Sequence, residues 1–203
     1  MRSGRKTGLW YDEFAIPYSV FKSHALDITV ASPLGGRAPI DRQSLSESQG
    51  EILAANQALE NTVPLASLSP QLFDAIYLPG GNGTMYDLPK DTVLIDILQT
   101  HINAGRLLAS LCHGAVCLSS VTQNGAAFTK NRAMTCFSNT EEQLAGATDE
   151  YDFLLENKLR EQGAKLSFTQ PWTENVVIDD KLITGQNPQS SERLAKVLVD
   201  SLF

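Results

Sequence analysis

Cys112, His113 and Gly114 stand in a row directly after the apolar run Leu107-Leu108-Ala109-Ser110-Leu111. A cysteine placed between a buried strand and a helix sits on a tight turn, a nucleophile elbow. Small neighbours such as Gly114 and Ala115 let that turn close and a substrate approach. The N–H groups of the next helix aim a partial positive charge at the sulfur. A thiol with an ordinary pKa of about 8.5 is therefore expected to be driven toward thiolate. His113 can hold or exchange a proton, although adjacent side chains on a sharp turn need not meet. The competing reading makes Cys112 one more small buried apolar residue. The coincidence of strand, turn, histidine and glycine favours chemistry. Cys117, within the following helix, and Cys136, in a weak strand, read as structural.

A second group follows the apolar run Asp74 to Leu78. Gly80, Gly81 and Gly83 form a turn whose backbone N–H groups could stabilise an oxyanion, with Asn82 among them. An ordinary tight turn explains the same residues. The segment has neither the P-loop lysine nor the dinucleotide-binding spacing, so no nucleotide is indicated. Glu13 is the third piece, since a carboxylate beside a cysteine can serve as general base or hydrogen-bond the sulfur when protonated. Acids are also common in first helical turns for dipole reasons. Glu141 and Glu142, after Ser138-Asn139-Thr140, have that same reading. His24 and His101 read as surface or packing residues on helices.

The elements that must position these groups follow from periodicity. Helices are expected over Tyr11 to His24, with Pro17 best suited to the first turn, and over Glu51 to Leu59, Asp87 to Ala104, Gly114 to Val121, Asp149 to Gln162 and Ser190 to Leu202. Strands are expected at Asp27 to Ala31, Asp74 to Leu78, Leu107 to Leu111, Ala133 to Phe137, Lys165 to Phe168, Val176 to Ile178 and Leu182 to Thr184. The strands are continuous apolar runs alternating with helices. That pattern marks an α/β chain with a mostly parallel, flavodoxin-like sheet covered on both faces. Right-handed crossovers then put active residues at the carboxyl ends of strands, where Cys112 and the glycine turn both fall. Residues 37–50, polar and irregular, could cover that end.

The 203 residues are expected to form one domain spanning 1–203, and the 42 % apolar content rules out wholesale disorder. The net charge of -7, without a dense Lys/Arg cluster, disfavours nucleic acid and anionic membrane as partners. No apolar run reaches the roughly 20 residues needed to span a bilayer. The start, MRSGRKTG, lacks the apolar core of a secretory signal. Three cysteines without metal-type spacing fit a reducing, cytoplasmic setting.

Several of these segments together resemble the ThiJ/PfpI superfamily, whose fold is that of the class I glutamine amidotransferase-like proteins. The resemblance runs through Thr7 to Glu13 with Pro17-Tyr18, Ala31 to Gly36, Leu78 to Leu88, Leu111 to Gly114, and Thr184 to Ser191. The branch it is most similar to is the heat-shock chaperone and glyoxalase III type. There the elbow cysteine, the next histidine and an N-terminal acid form the site, which falls on Cys112, His113 and Glu13. The resemblance implies cofactor-free conversion of a small reactive carbonyl, methylglyoxal, to lactate, and a homodimer. It also leaves open a redox or stress-response role, a holding chaperone, and a cysteine hydrolase. Relatives usually carry an apolar strand ahead of Thr7, so here either the start is truncated, or the sheet is one strand short, or another segment replaces that first strand. Asn82 stands where relatives often have histidine. Pro188 and Gln189 replace the distant amidotransferase His and Glu, which argues against glutamine hydrolysis.

Overall fold

The computed structural model describes residues 1–47, 52–68 and 71–203. In chain order the elements are α1 (Tyr11–Ser23), β1 (Ala31–Ser32), α2 (Arg42–Glu47), α3 (Leu53–Glu60), β2 (Val63–Pro64), β3 (Ala75–Leu78), α4 (Thr92–Asn103), β4 (Leu107–Leu111), β5 (Thr122–Gln123), β6 (Ala126–Ala127), β7 (Ala133–Met134), α5 (Asn139–Leu144), α6 (Leu155–Glu161), β8 (Lys165–Leu166), β9 (Val176–Asp179), β10 (Leu182–Gly185) and α7 (Ser191–Asp200). This is an α/β fold.

The main sheet has the order β3-β4-β10-β9. The pairs β3–β4 and β4–β10 are parallel, and β9 closes against β10 as an antiparallel hairpin. β4 explains why its sequence is apolar at nearly every position. Leu107, Ala109 and Leu111 point into one cluster with Phe21, Leu194 and Leu198, while Leu108 points the other way to Leu98, Leu118 and Leu155. Every residue of β4 is buried, as a strand covered on both faces requires. The first cluster is roofed by α1 and α7, the second by α4, α6 and the 3₁₀ run Cys112–Ser120.

Several expectations need correction. The predicted strand Asp27 to Ala31 shrinks to β1, which pairs in parallel with Val63–Pro64 and is not hydrogen-bonded to the main sheet. In agreement with the expected missing first strand, residues 1–10 form no strand beyond the single bridge Leu9–Ile40. The stretch Asp149 to Gln162 is helical only from Leu155, and Tyr151 ahead of it is buried. Pro17 lies in the middle of α1, not in its first turn. Of the segment 37–50 that could cover the site, residues 48–50 lie outside the described residues. Its earlier part buttresses α1, with Ser44 Oγ accepting from the Tyr11 N–H at 3.0 Å. Among the described residues no helix is long and apolar enough to cross a membrane.

Candidate active site

Cys112 follows directly on β4 and adopts φ 55°, a left-handed conformation that a non-glycine residue takes only where the surroundings enforce it. The enforcement is close packing. A Cβ on Gly114 would lie 2.3 Å from the Leu78 carbonyl oxygen, so only glycine lets this turn sit against the end of β3. Gly80 is held as tightly, its hypothetical Cβ falling 2.6 Å from Glu13 Oε2 and 2.7 Å from the Leu111 oxygen.

The side chains of Cys112 and His113 do meet. Sγ stands 3.4 Å from His113 Nδ1, and His113 Nε2 stands 2.7 Å from Glu142 Oε1. All three residues are buried, with Cys112 3 % exposed. A carboxylate at Glu142 accepts only, and opposite it the matching His113 tautomer has its proton on Nε2 and the Nδ1 lone pair toward the thiol. This is the arrangement of a nucleophile, a base and a group that orients the base. The histidine is also clamped between rings, with Phe137 at 4.6 Å and Tyr151 at 5.7 Å between centroids.

Sequence reasoning missed Glu142. Read as an acid placed in a first helical turn for dipole reasons, it is buried, 1 % exposed, against His113. The signal in the sequence was real but local: Ser138 and Glu141 form a capping box that starts α5. The step that matters is non-local. The Phe137 N–H donates to the Cys112 carbonyl at 3.4 Å and the Thr135 N–H to Thr184 Oγ1 at 2.9 Å, laying the approach to α5 along the main sheet.

Glu13 reaches the site from the other side. Its Oε2 accepts the Gly80 N–H at 2.8 Å, and its Oε1 is buried without a hydrogen-bond partner. Glu142 Oε2 is likewise buried without a partner, so two carboxylate oxygens around Cys112 and His113 are left for another group to bind. Burial raises the Glu13 carboxyl to about 8, opposed by the Cys112 thiol and the Gly80 N–H. Cys112 is likewise pushed well above its ordinary range, first by burial and then by Glu13, with only the His113 N–H acting against it. The expectation of a resting thiolate is therefore corrected. Desolvation outweighs the pull of the following N–H groups and favours the neutral thiol and the neutral carboxyl.

The oxyanion role expected of the glycine turn is also corrected in part. The Gly80 N–H is engaged by Glu13 and the Gly83 N–H by the Gly8 carbonyl at 3.1 Å. Gly81, at φ 107°, lies against the Trp10 N–H, which donates to the Gly80 carbonyl at 3.2 Å. The turn thus docks the loop ahead of α1 and so delivers Glu13. Asn82 uses its amide oxygen to accept the Tyr151 hydroxyl at 2.7 Å, fixing one wall of the histidine clamp. Cys117 and Cys136 are buried core residues, and His101 is buried in packing rather than at the surface.

A family model described as DJ-1/PfpI family matches residues 11–201. The chain belongs to the DJ-1/PfpI family. Within it, the glutathione-independent glyoxalase hsp3102 of Schizosaccharomyces pombe is 29 % identical over 98 % of this chain and 90 % of its own length. The crystal structure of glyoxalase III from Candida albicans superimposes with a TM-score of 0.86 at 26 % identity, covering 98 % of this chain and 90 % of that one. That of the 24 kDa Rapid Encystment Protein of Francisella tularensis gives 0.89 at 33 % identity, covering 98 % and 92 %. Of the residues that DJ-1/PfpI resemblance assigned to the site, the structure brings Cys112, His113 and Glu13 together and adds Glu142.

Proposed function

We propose that this chain is a glutathione-independent glyoxalase that converts methylglyoxal, or a closely related 2-oxoaldehyde, to the 2-hydroxy acid. The observation that carries the reading is the buried line Cys112–His113–Glu142 with the orphan oxygen of Glu13 opposite, in a chain alike over its length to glutathione-independent glyoxalases. The turn at Cys112 acts as a nucleophile elbow. His113 Nδ1 takes the thiol proton as sulfur attacks the aldehyde carbon, and the developing alkoxide is protonated to give a hemithioacetal. The carbon-bound hydrogen is then removed as a proton and returned to the neighbouring carbonyl carbon, giving a lactyl thioester. Water cleaves that thioester, releasing lactate and the Cys112 thiol. Overall one water is added and no external electron acceptor is used.

Glu13 is the group best suited to the carbon-to-carbon transfer. Its Oε1 makes no hydrogen bond, its carboxyl neighbours the Cys112 thiol, and a carboxyl poised near 8 can both give and take a proton near neutrality. Its proton also removes the negative charge that would oppose sulfur's attack. The raised thiol argues against the rival reading of Cys112 as a redox sensor, since sensor cysteines are exposed thiolates.

The test is lactate formation from methylglyoxal without glutathione, comparing the parent with Cys112→Ala and Glu13→Gln, each shown folded by circular dichroism. Turnover by the parent and its loss by about a hundredfold or more in both variants is expected. A folded parent that makes no lactate sinks the reading.

A further inference from the structure

Beside Glu142 lies a second buried carboxylate that touches neither Cys112 nor His113. Glu141 is 0 % exposed. Its Oε2 accepts the Ser138 N–H at 3.0 Å, the Ser138 hydroxyl at 2.7 Å and the Gln186 side-chain amide at 3.1 Å. Its Oε1 accepts the Asn187 side-chain amide at 2.8 Å and the Trp172 N–H at 3.1 Å. Five neutral donors from three separate stretches converge on one carboxylate. A capping box alone requires the Ser138 contacts and none of the others. A buried carboxylate this fully satisfied rigidifies what it joins.

What it joins are two sides of the histidine clamp. Through the chain, Glu141 sets the first turn of α5 and with it the position of Glu142, which holds Nε2. Through the Trp172 N–H it holds a turn where Trp172 has φ 59°. The Trp172 ring packs on Phe137 at 5.5 Å, and Phe137 packs on His113 at 4.6 Å.

We propose that Glu141 is a positioning residue that fixes the tautomer and orientation of His113, by anchoring Glu142 on one side and the Trp172–Phe137 stack on the other. Its consequence for turnover rests on the glyoxalase reading; its effect on His113 does not. Replacing the carboxylate by an amide turns one acceptor oxygen into a donor. In either orientation the new NH₂ group confronts donors already present, so α5 and the Trp172 turn cannot both keep their places.

The test uses the full chain labelled with ¹⁵N-histidine, of which there are three residues. Long-range proton–nitrogen spectra read the tautomer of each ring. The parent is expected to hold His113 in the Nε2–H form with a slowly exchanging Nε2–H. In folded Glu141→Gln that signature is lost, and kcat falls by about a hundredfold, as for a misplaced catalytic group, while KM stays within about twofold. Asn187→Ala removes one of the five donors from outside α5 and leaves the capping box intact, so it serves as the second variant if Glu141→Gln fails to fold. It should loosen the same signature, through Glu141 and through the Thr173 carbonyl beside Trp172, to which the same amide donates at 2.8 Å. Folded protein that keeps the parent's His113 signature in either variant overturns the proposal, even if its melting temperature is lower. A parent that makes no lactate removes the glyoxalase reading and leaves the spectra to decide the role of Glu141.

Discussion

The Tyr77 hydroxyl donates to the main-chain carbonyl of Glu13. That carbonyl is free because the residue four positions on is Pro17, which has no N–H to give it. A proline in mid-helix, which the sequence alone makes a defect, is thus matched by a tyrosine from β3, and together they pin the helical turn that carries Glu13. Tyr77→Phe leaves a buried carbonyl unsatisfied and is expected to cost about 1–3 kcal/mol. Pro17→Ala in that background restores the helical donor and should recover most of the loss. Chemical denaturation of the two single variants and the double variant measures the coupling. Additive effects would show that the two residues do not share the Glu13 carbonyl.

Glu142→Gln keeps the size of the side chain and removes the charge that stabilises His113 as it takes the thiol proton. The expected result is a drop in kcat of about a hundredfold or more. KM should change little, because Glu142 contacts the base and not the substrate. A steady-state comparison with the parent checks this, and a kcat within a few-fold would remove Glu142 from the proposed mechanism.

How much of this was legible beforehand follows physical lines. β4 and β10 announce themselves because a strand buried on both faces must be apolar throughout, β3 and β9 as short apolar runs flanking them, and the elbow stands out because glycine is required where Cys112 turns against β3. Cys112, His113 and Glu13 were readable as chemistry by type and by family resemblance. Glu142 was not, since an acid in a first helical turn has a sufficient local explanation, and only the β7–α5 path brings it to His113. The hydrogen bonds of Gly80 and Gly83 were hidden for the same reason, as their partners lie at Glu13 and Gly8, far away in sequence. Thiol acidity was misread because helix geometry is local and burial is not.

Glu13 should cost stability where it works. Its carboxyl is raised from 4.5 to about 8 by burial. The folded state therefore holds this proton more tightly than the unfolded chain, so stability falls as pH rises from about 4.5 to about 8 and the full cost applies above that. Glu13→Gln, neutral at every pH, is expected to be the more stable protein at pH 8–9, by a few kcal/mol at most, with the advantage shrinking toward pH 5. Thermal denaturation across that range tests it. An advantage that grows toward acid pH would contradict a raised Glu13.

His101 sets the opposite trend. It is fully buried in α4, its Nδ1 2.8 Å from the Ile97 carbonyl and its Nε2 accepting the Phe73 N–H at 2.9 Å. That pattern requires the neutral ring, Nδ1 donating and Nε2 accepting. Burial lowers its pKa from 6.5, Ile97 opposes the shift, and Arg106 adds to it. A second proton on Nε2 would face the Phe73 N–H and leave that donor unpaired. The sign follows: the unfolded chain takes up this proton first, so the stability contributed by neutral His101 is complete above about 6.5 and is lost as pH falls through the lower folded value. His101→Gln can keep one donor and one acceptor but does not titrate. Relative to the parent, its unfolding free energy should fall less steeply between pH 6.5 and 5, whatever its absolute stability. Identical slopes for the two proteins in that window would show that His101 does not couple protonation to folding.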